Sequence, residues 1–109
     1  MLVNATTRLS KADDFSSVFN FKARFYTQHL NFFYMPNQLG FSRIGFIVSK
    51  KISKRAVDRN YIKRVLRSLL RQYALQKHFD IIIQCKQIFK KEEFLKIQDE
   101  IHAFIEKIN

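Results

Sequence analysis

Between Arg59 and Tyr73 the sequence RNYIKRVLRSLLRQY has one good local solution, an amphipathic helix held against a core. Spaced at about 100° per residue, Arg59, Lys63, Arg67, Asn60, Arg71 and Arg64 fall within an arc of roughly 140°. Val65, Leu69, Ile62, Tyr73 and Leu66 fall opposite. A fold that accepts this stretch must cover the second set and leave the first open. The open set is unusual for a solvated helix face, which mixes signs and gains from Glu–Lys pairs four residues apart. Here Arg59, Lys63, Arg67 and Arg71 are like charges at that spacing, each pair costing a few tenths of a kcal/mol. A polyanion laid on that face offsets the repulsion.

The charge is local. From Lys50 to Arg71 there are nine Lys and Arg against one acid, Asp58, in a chain of formal net charge +11. Such a cluster on one element marks a nucleic-acid partner rather than a membrane, because a membrane-surface helix needs its apolar face free to insert. No apolar run approaches the roughly 20 residues of a membrane span. The opening MLVNATTRLSKADDF has neither the basic start with an apolar block nor the cleavage site of an export signal, so the chain is expected in the cytoplasm.

The 109 residues suit one domain, 1–109, with a single core; twelve Phe among them argue against disorder. Residues 1 to 8 read as a loose arm. Ser10 and Asp13 suggest a capping box opening a short helix, Lys11 to Asn20, with Phe15, Val18 and Phe19 on one side. Phe21 to Gln28 and Leu30 to Met35 read as two strands, and Pro36 to Gly40 as the clearest loop. In a third strand, Ser42 to Ser49, Ile44, Phe46 and Val48 alternate with Arg43, Gly45 and Ile47. The basic helix then starts between Lys54 and Asp58 and ends near Gln76. Phe79 to Lys86 is a fourth strand whose Ile81, Ile82 and Ile83 predict burial on both faces. A helix from Lys91 to Ile108 closes the chain, with Phe94, Ile97, Ile101, Phe104, Ile105 and Ile108 along one side. The expected order is helix, three strands, helix, strand, helix.

Candidate chemistry is sparse. With Gly40 and Gly45 the only glycines, no glycine-rich phosphate loop can be built. His29, His78 and His102 lack metal-ligand spacing and Cys partners, and Cys85, the only cysteine, reads as a buried structural thiol. Asp13 and Asp14 are neighbours, so on a helix they point about 100° apart and do not converge on a metal. Phe15, Phe19, Phe25, Tyr26, Phe32, Phe33 and Tyr34 are candidates for base stacking beside a basic groove, although the core needs most of them. If the protein takes part in a reaction, the catalytic atoms are expected elsewhere.

The third strand and basic helix, RIGFIVSKK and DRNYIKRVLR, closely resemble the protein subunit of bacterial ribonuclease P. That family carries a strand R-L/V-G-x-x-V-S/A-K-K, here Arg43, Gly45, Val48, Ser49, Lys50 and Lys51. A few residues on it carries R-N-x-x-K-R-x-x-R, here Arg59, Asn60, Lys63, Arg64 and Arg67. RLSKADDFSSVF resembles the family's opening, and FDIIIQCK its last strand. The chain departs at Tyr61, where the family usually has a basic residue, and at Cys85, where Arg is common.

The resemblance implies an α-β-β-β-α-β-α two-layer sandwich with a four-stranded mixed sheet and a left-handed βαβ crossover, against the general rule of hand. It also implies an endoribonuclease in which a catalytic RNA removes the 5′ leader of precursor tRNA with Mg²⁺, one protein per RNA and no catalytic protein side chain. On the same ground Lys50, Lys51, Arg55, Arg59, Asn60, Lys63, Arg64 and Arg67 would contact the catalytic RNA. Phe15, Phe19, Phe33 and Ser49 would line a cleft for the leader. Two other readings fit the basic helix: a structural RNA binder such as a ribosomal protein, and a DNA-binding regulator, which lacks the preceding helix and turn that motif needs.

Overall fold

The computed structural model describes residues 7–73 and 75–109; most of the expected amino-terminal arm lies outside them. In chain order the elements are β1 (Thr7–Arg8), α1 (Ala12–Phe21), β2 (Ala23–Tyr26), β3 (Leu30–Pro36), β4 (Arg43–Val48), α2 (Ala56–Leu70), β5 (Phe79–Cys85) and α3 (Phe94–Ile108), with a 3₁₀ turn at Lys91–Glu93 leading into α3. The sheet order is β1-β4-β5-β3-β2. β2, β3, β4 and β5 are the four strands expected, and β1 adds a two-residue edge that pairs in parallel with β4 through Thr7↔Arg43 and Arg8↔Ile44.

The sheet is mixed. β5 lies parallel to β4, in register from Arg43↔Asp80 to Val48↔Cys85, and antiparallel to β3, from Leu30↔Cys85 to Pro36↔Phe79. Adjacent parallel strands need a long crossover, and α2 supplies it. β5, paired on both sides, has Ile81, Ile82 and Ile83 wholly buried, as an unbroken apolar run implies.

The main sandwich lies on the face carrying Leu30, Phe32, Ile44, Val48, Ile81 and Ile83. There α2 contributes Ile62, Leu66 and Leu70, and α3 contributes Ile97, Ile101, Phe104, Ile105 and Ile108. Phe32 and Phe104 stack at its centre, centroids 4.2 Å apart. Each such fully buried side chain stabilises the fold by about 1.5–3 kcal/mol relative to exposure. The opposite face is covered in part by α1, whose Val18 meets Leu9, Phe33 and Ile82, with Phe15, Phe19, Met35 and Ile47 around them. Strand alternation sorts the residues: Phe33, Ile82 and Gly45 turn toward α1, their sequence neighbours toward α2 and α3.

Two helix limits differ from the sequence reading. α1 is capped by Lys11 without a side-chain hydrogen bond, so the expected Ser10 capping box does not form. Asp14 instead reaches a partner on β4, described below. α2 stops at Leu70 rather than near Gln76. The chain tightens there, the N–H groups of Gln72 and Tyr73 donating to the carbonyls of Leu69 and Leu70. Tyr73 still returns to the core, and its hydroxyl donates to the Gln98 carbonyl at 3.2 Å. A helical periodicity therefore outlasts the helix by one turn.

Candidate nucleic-acid interface

β4 ends in a tight turn in which the Ser49 carbonyl accepts the N–H groups of Ile52 and Ser53 at 3.1 and 3.2 Å. Lys50 and Lys51 project from it, exposed. Arg59 reaches back from the first turn of α2, its Nη1 donating to the carbonyls of Ser53 and Lys54, both at 2.9 Å. Part of its guanidinium is thus occupied in fixing the angle at which α2 leaves the sheet. Arg55 caps α2 and lies 3.8 Å from Asp58 across one exposed turn.

The buried stripe of α2 is Ile62, Leu66 and Leu70. Leu70 falls at about 20° on the wheel that has Arg59 at zero, so the apolar face is rotated toward the cations. Arg59, Lys63 and Arg67 consequently sit half-buried at its border, whereas Asn60, Arg64 and Arg71 face outward. Asn60, Lys63, Arg64 and Arg67 line one concavity, whose far wall holds Arg8 of β1. The Arg67 guanidinium lies over the Phe46 ring, 5.1 Å from its centroid. Burial pulls the Arg67 pKa below its ordinary value, and the like charges of Arg8 and Arg71 add to this. Arg8 completes the cationic wall although the sequence reading placed it in a loose arm. The only sequence signal was its place in the RL that opens the family's pattern.

On the other face, Phe15 and Phe19 of α1 stand half-buried against the sheet. Phe33 is packed beneath them, only 8% exposed, edge-on to Phe19 at 4.8 Å. It forms floor rather than an open platform. The sequence did not single out Arg24, whose guanidinium lies 5.6 Å over Phe33 and donates to the Tyr26 hydroxyl at 3.3 Å, or Lys86, 5.6 Å over the Tyr26 ring. Arg24 pairs with Phe33 across β2 and β3, a register that pattern reading does not supply. Ser49 is exposed, just past β4. Tyr61 is also exposed, on the outer side of α2.

Other polar residues hold these surfaces in place. Buried Asp80 accepts Arg43 Nε at 2.9 Å and Nη2 at 2.6 Å, and Asn37 Nδ2 at 2.8 Å; Arg43 Nη1 also reaches Asp14 of α1 at 3.2 Å. Arg43 thereby ties β4, β5 and α1 together, and hydrogen bonding to Asp80 leads the causes that raise its pKa. His29 is fully buried with Nδ1 2.6 Å from Glu100 and Nε2 3.1 Å from Glu93. Glu100 also accepts the His29 N–H and the Thr27 hydroxyl, stapling the β2–β3 turn to α3. Cys85 is buried, its thiol pushed up from 9.0 to about 11 chiefly by desolvation. Among the described residues no group of three or more His, Cys, Asp or Glu is arranged to hold a metal ion, and no helix is long and apolar enough to cross a membrane.

A small mixed-sheet protein with an acid-free cationic concavity at one helix and a partly exposed aromatic cluster on the opposite sheet face belongs to the class of nucleic-acid-binding α/β domains. The ribonuclease P family model matches residues 3–109. The ribonuclease P protein component of Chromobacterium violaceum is 37% identical over 103 residues, spanning 93% of this chain and 84% of that protein. That of Idiomarina loihiensis is 39% identical over 104 residues, spanning 93% and 82%. The structure of the Staphylococcus aureus ribonuclease P protein superposes with a TM-score of 0.77 at 28% identity, over 93% of each chain. The chain therefore belongs to the ribonuclease P protein family, the protein subunit of the endoribonuclease that processes tRNA. That membership decides against a structural RNA binder without processing activity and against a DNA-binding regulator.

Proposed function

We propose that the cationic face of α2 docks on the catalytic RNA of ribonuclease P and that the recess beside α1 holds the single-stranded 5′ leader of precursor tRNA. The observation that carries this is the convergence of Asn60, Lys63, Arg64 and Arg67, with Arg8 opposite, on one concavity without an acid in its lining. Cations so placed gain from releasing the counterions of an RNA backbone. Lys50, Lys51 and Arg55 extend the positive surface along the turn before α2. Arg59 contributes its free guanidinium edge while holding that turn.

In the leader recess Phe15 and Phe19 offer the accessible ring surface, Phe33 supports Phe19 from below, and Ser49 stands at the strand end as a hydroxyl for the RNA backbone. Stacking on such rings is tolerant of sequence, as a site meeting many leaders requires. The chain's part is binding and orientation. We assign the Mg²⁺ that serves hydrolysis of the leader phosphodiester to the RNA, as the family resemblance implies. The working complex is one protein per RNA, in the cytoplasm, with residues 1–109 acting as one domain.

The test is Arg64→Ala, which removes an exposed cation. Its affinity for a ribonuclease P RNA should fall, and the log–log salt slope should flatten by about 0.7–0.9 for one lost phosphate contact. The melting curve should stay close to that of the parent. Unchanged affinity and slope would show that this face does not meet the RNA.

A further inference from the structure

The concavity beneath α2 is not simply a cationic surface. It holds about 320 Å³ and is closed below by Leu9, Ile44, Gly45 and Phe46, with cations around its rim. That is near the lower end of the roughly 300–1,000 Å³ range of small-molecule sites. A face that meets only backbone phosphates has no use for an apolar floor, and an apolar ligand has no use for four cations. A nucleotide combines both chemistries in one residue. The Arg67 guanidinium lies over the Phe46 ring, 5.1 Å from its centroid, so the planar guanidinium backed by the ring offers a surface on which a base can stack. Arg8, Lys63 and Arg64 stand on two elements around the mouth, and the Asn60 amide is available to a base edge or a ribose hydroxyl.

Resting on the reading of α2 as an RNA-docking face, we propose that this concavity seats one unpaired nucleotide of the catalytic RNA. Its base lies on the Arg67 guanidinium, which the Phe46 ring backs, and its phosphate between Arg8, Lys63 and Arg64. A paired nucleotide keeps its base in the stack and cannot enter, so the site selects a bulged or looped position of the RNA. Arg8 draws the β1 edge into the contact. Burial first, and then the like charges of Arg8 and Arg71, lower the Arg67 pKa, and an anion seated beside it relieves that repulsion.

The experiment compares the full-length protein with Phe46→Leu, Arg67→Lys and Arg8→Gln in binding to a ribonuclease P catalytic RNA across a salt series, with melting curves recorded in parallel. Phe46→Leu keeps an apolar side chain and all charges, so affinity should fall about tenfold with the salt slope unchanged. Arg67→Lys keeps the charge but loses the planar group, and should weaken binding severalfold, again at constant slope. Arg8→Gln should flatten the slope by about 0.7–0.9. If Arg8→Gln flattens the slope but Phe46→Leu and Arg67→Lys bind as tightly as the parent, only phosphate is held there and the proposal is overturned. It is overturned equally if none of the three changes binding while Arg64→Ala does. Failure of the parent protein to bind this RNA at all would instead overturn the docking reading, and this inference with it. Should Phe46→Leu melt well below the parent, Arg67→Lys carries the decision.

Discussion

Replacing Arg43 by Ala would leave Asp80, 1% exposed, with a single amide donor, Asn37, in place of the three nitrogens it now meets. Removing one partner of a buried pair costs about 3–5 kcal/mol, because the remaining charge has lost its compensation. The Arg43 side chain is 23% exposed, so water can reach the vacated space, and the lower end, about 3 kcal/mol, is the expected value. For a domain of about this size, each kcal/mol moves the midpoint by roughly 4–8 °C, a fall of about 12–24 °C. Loss of the Asp14 contact should also loosen α1 from the sheet. Urea unfolding of Arg43→Ala, Asp80→Asn and the double variant measures the coupling directly. The double variant should be more stable than Arg43→Ala, since a neutral amide there no longer needs a guanidinium. A cost under about 1 kcal/mol for Arg43→Ala would refute the assignment of Arg43 as the tie that joins β4, β5 and α1.

Three further outcomes are expected. A Cβ on Gly45 would lie 2.6 Å from Phe15 Cζ and 2.9 Å from the Leu9 carbonyl oxygen, so Gly45→Ala should cost about 1–3 kcal/mol and displace Phe15, read by denaturation and by aromatic NMR shifts. Leu66→Ala, at a fully buried position of α2, should cost about 2–5 kcal/mol, whereas Arg64→Ala should stay within about 0.5 kcal/mol; equal losses in thermal melts would show the faces of α2 to be misassigned. The Cys85 thiol, raised to about 11, ionises in the unfolded chain before the folded one. The unfolded state therefore holds fewer protons between the ordinary value of 9.0 and about 11, and stability falls as pH rises through that window. Cys85→Ala should lose less stability than the parent there, and the native thiol should resist alkylation at pH 8; rapid native labelling would contradict its burial.

Much of this was legible in the sequence, for reasons that differ by element. The run Ile81, Ile82, Ile83 read as a strand buried on both sides, and Asn60, Arg64 and Arg71 of α2 face outward where the wheel placed them. The rotation of α2 was harder to read because Leu70 lies within about 20° of Arg59 on the wheel, and only packing shows how far burial extends toward the cations. The pairings of Arg43 with Asp80 and of His29 with Glu93 and Glu100 were illegible, since sheet register and the docking of α3 bring together residues between 37 and 71 positions apart. Arg8 was missed because a two-residue strand carries no periodicity. Phe33 stayed one candidate among several aromatics, since composition does not distinguish a ring on the surface from one beneath another ring.

On the proposed reading, the α2 face delivers this chain to the RNA that cleaves. The most direct measurement is reconstitution with a ribonuclease P catalytic RNA and precursor tRNA at low Mg²⁺, comparing the parent chain with the double variant Lys63→Ala, Arg64→Ala. The parent should accelerate leader removal. The double variant should melt like the parent, bind with a salt slope flatter by about 1.4–1.8, and give little acceleration at protein concentrations that saturate the parent. Equal acceleration by both proteins, or none by the parent, would contradict the account.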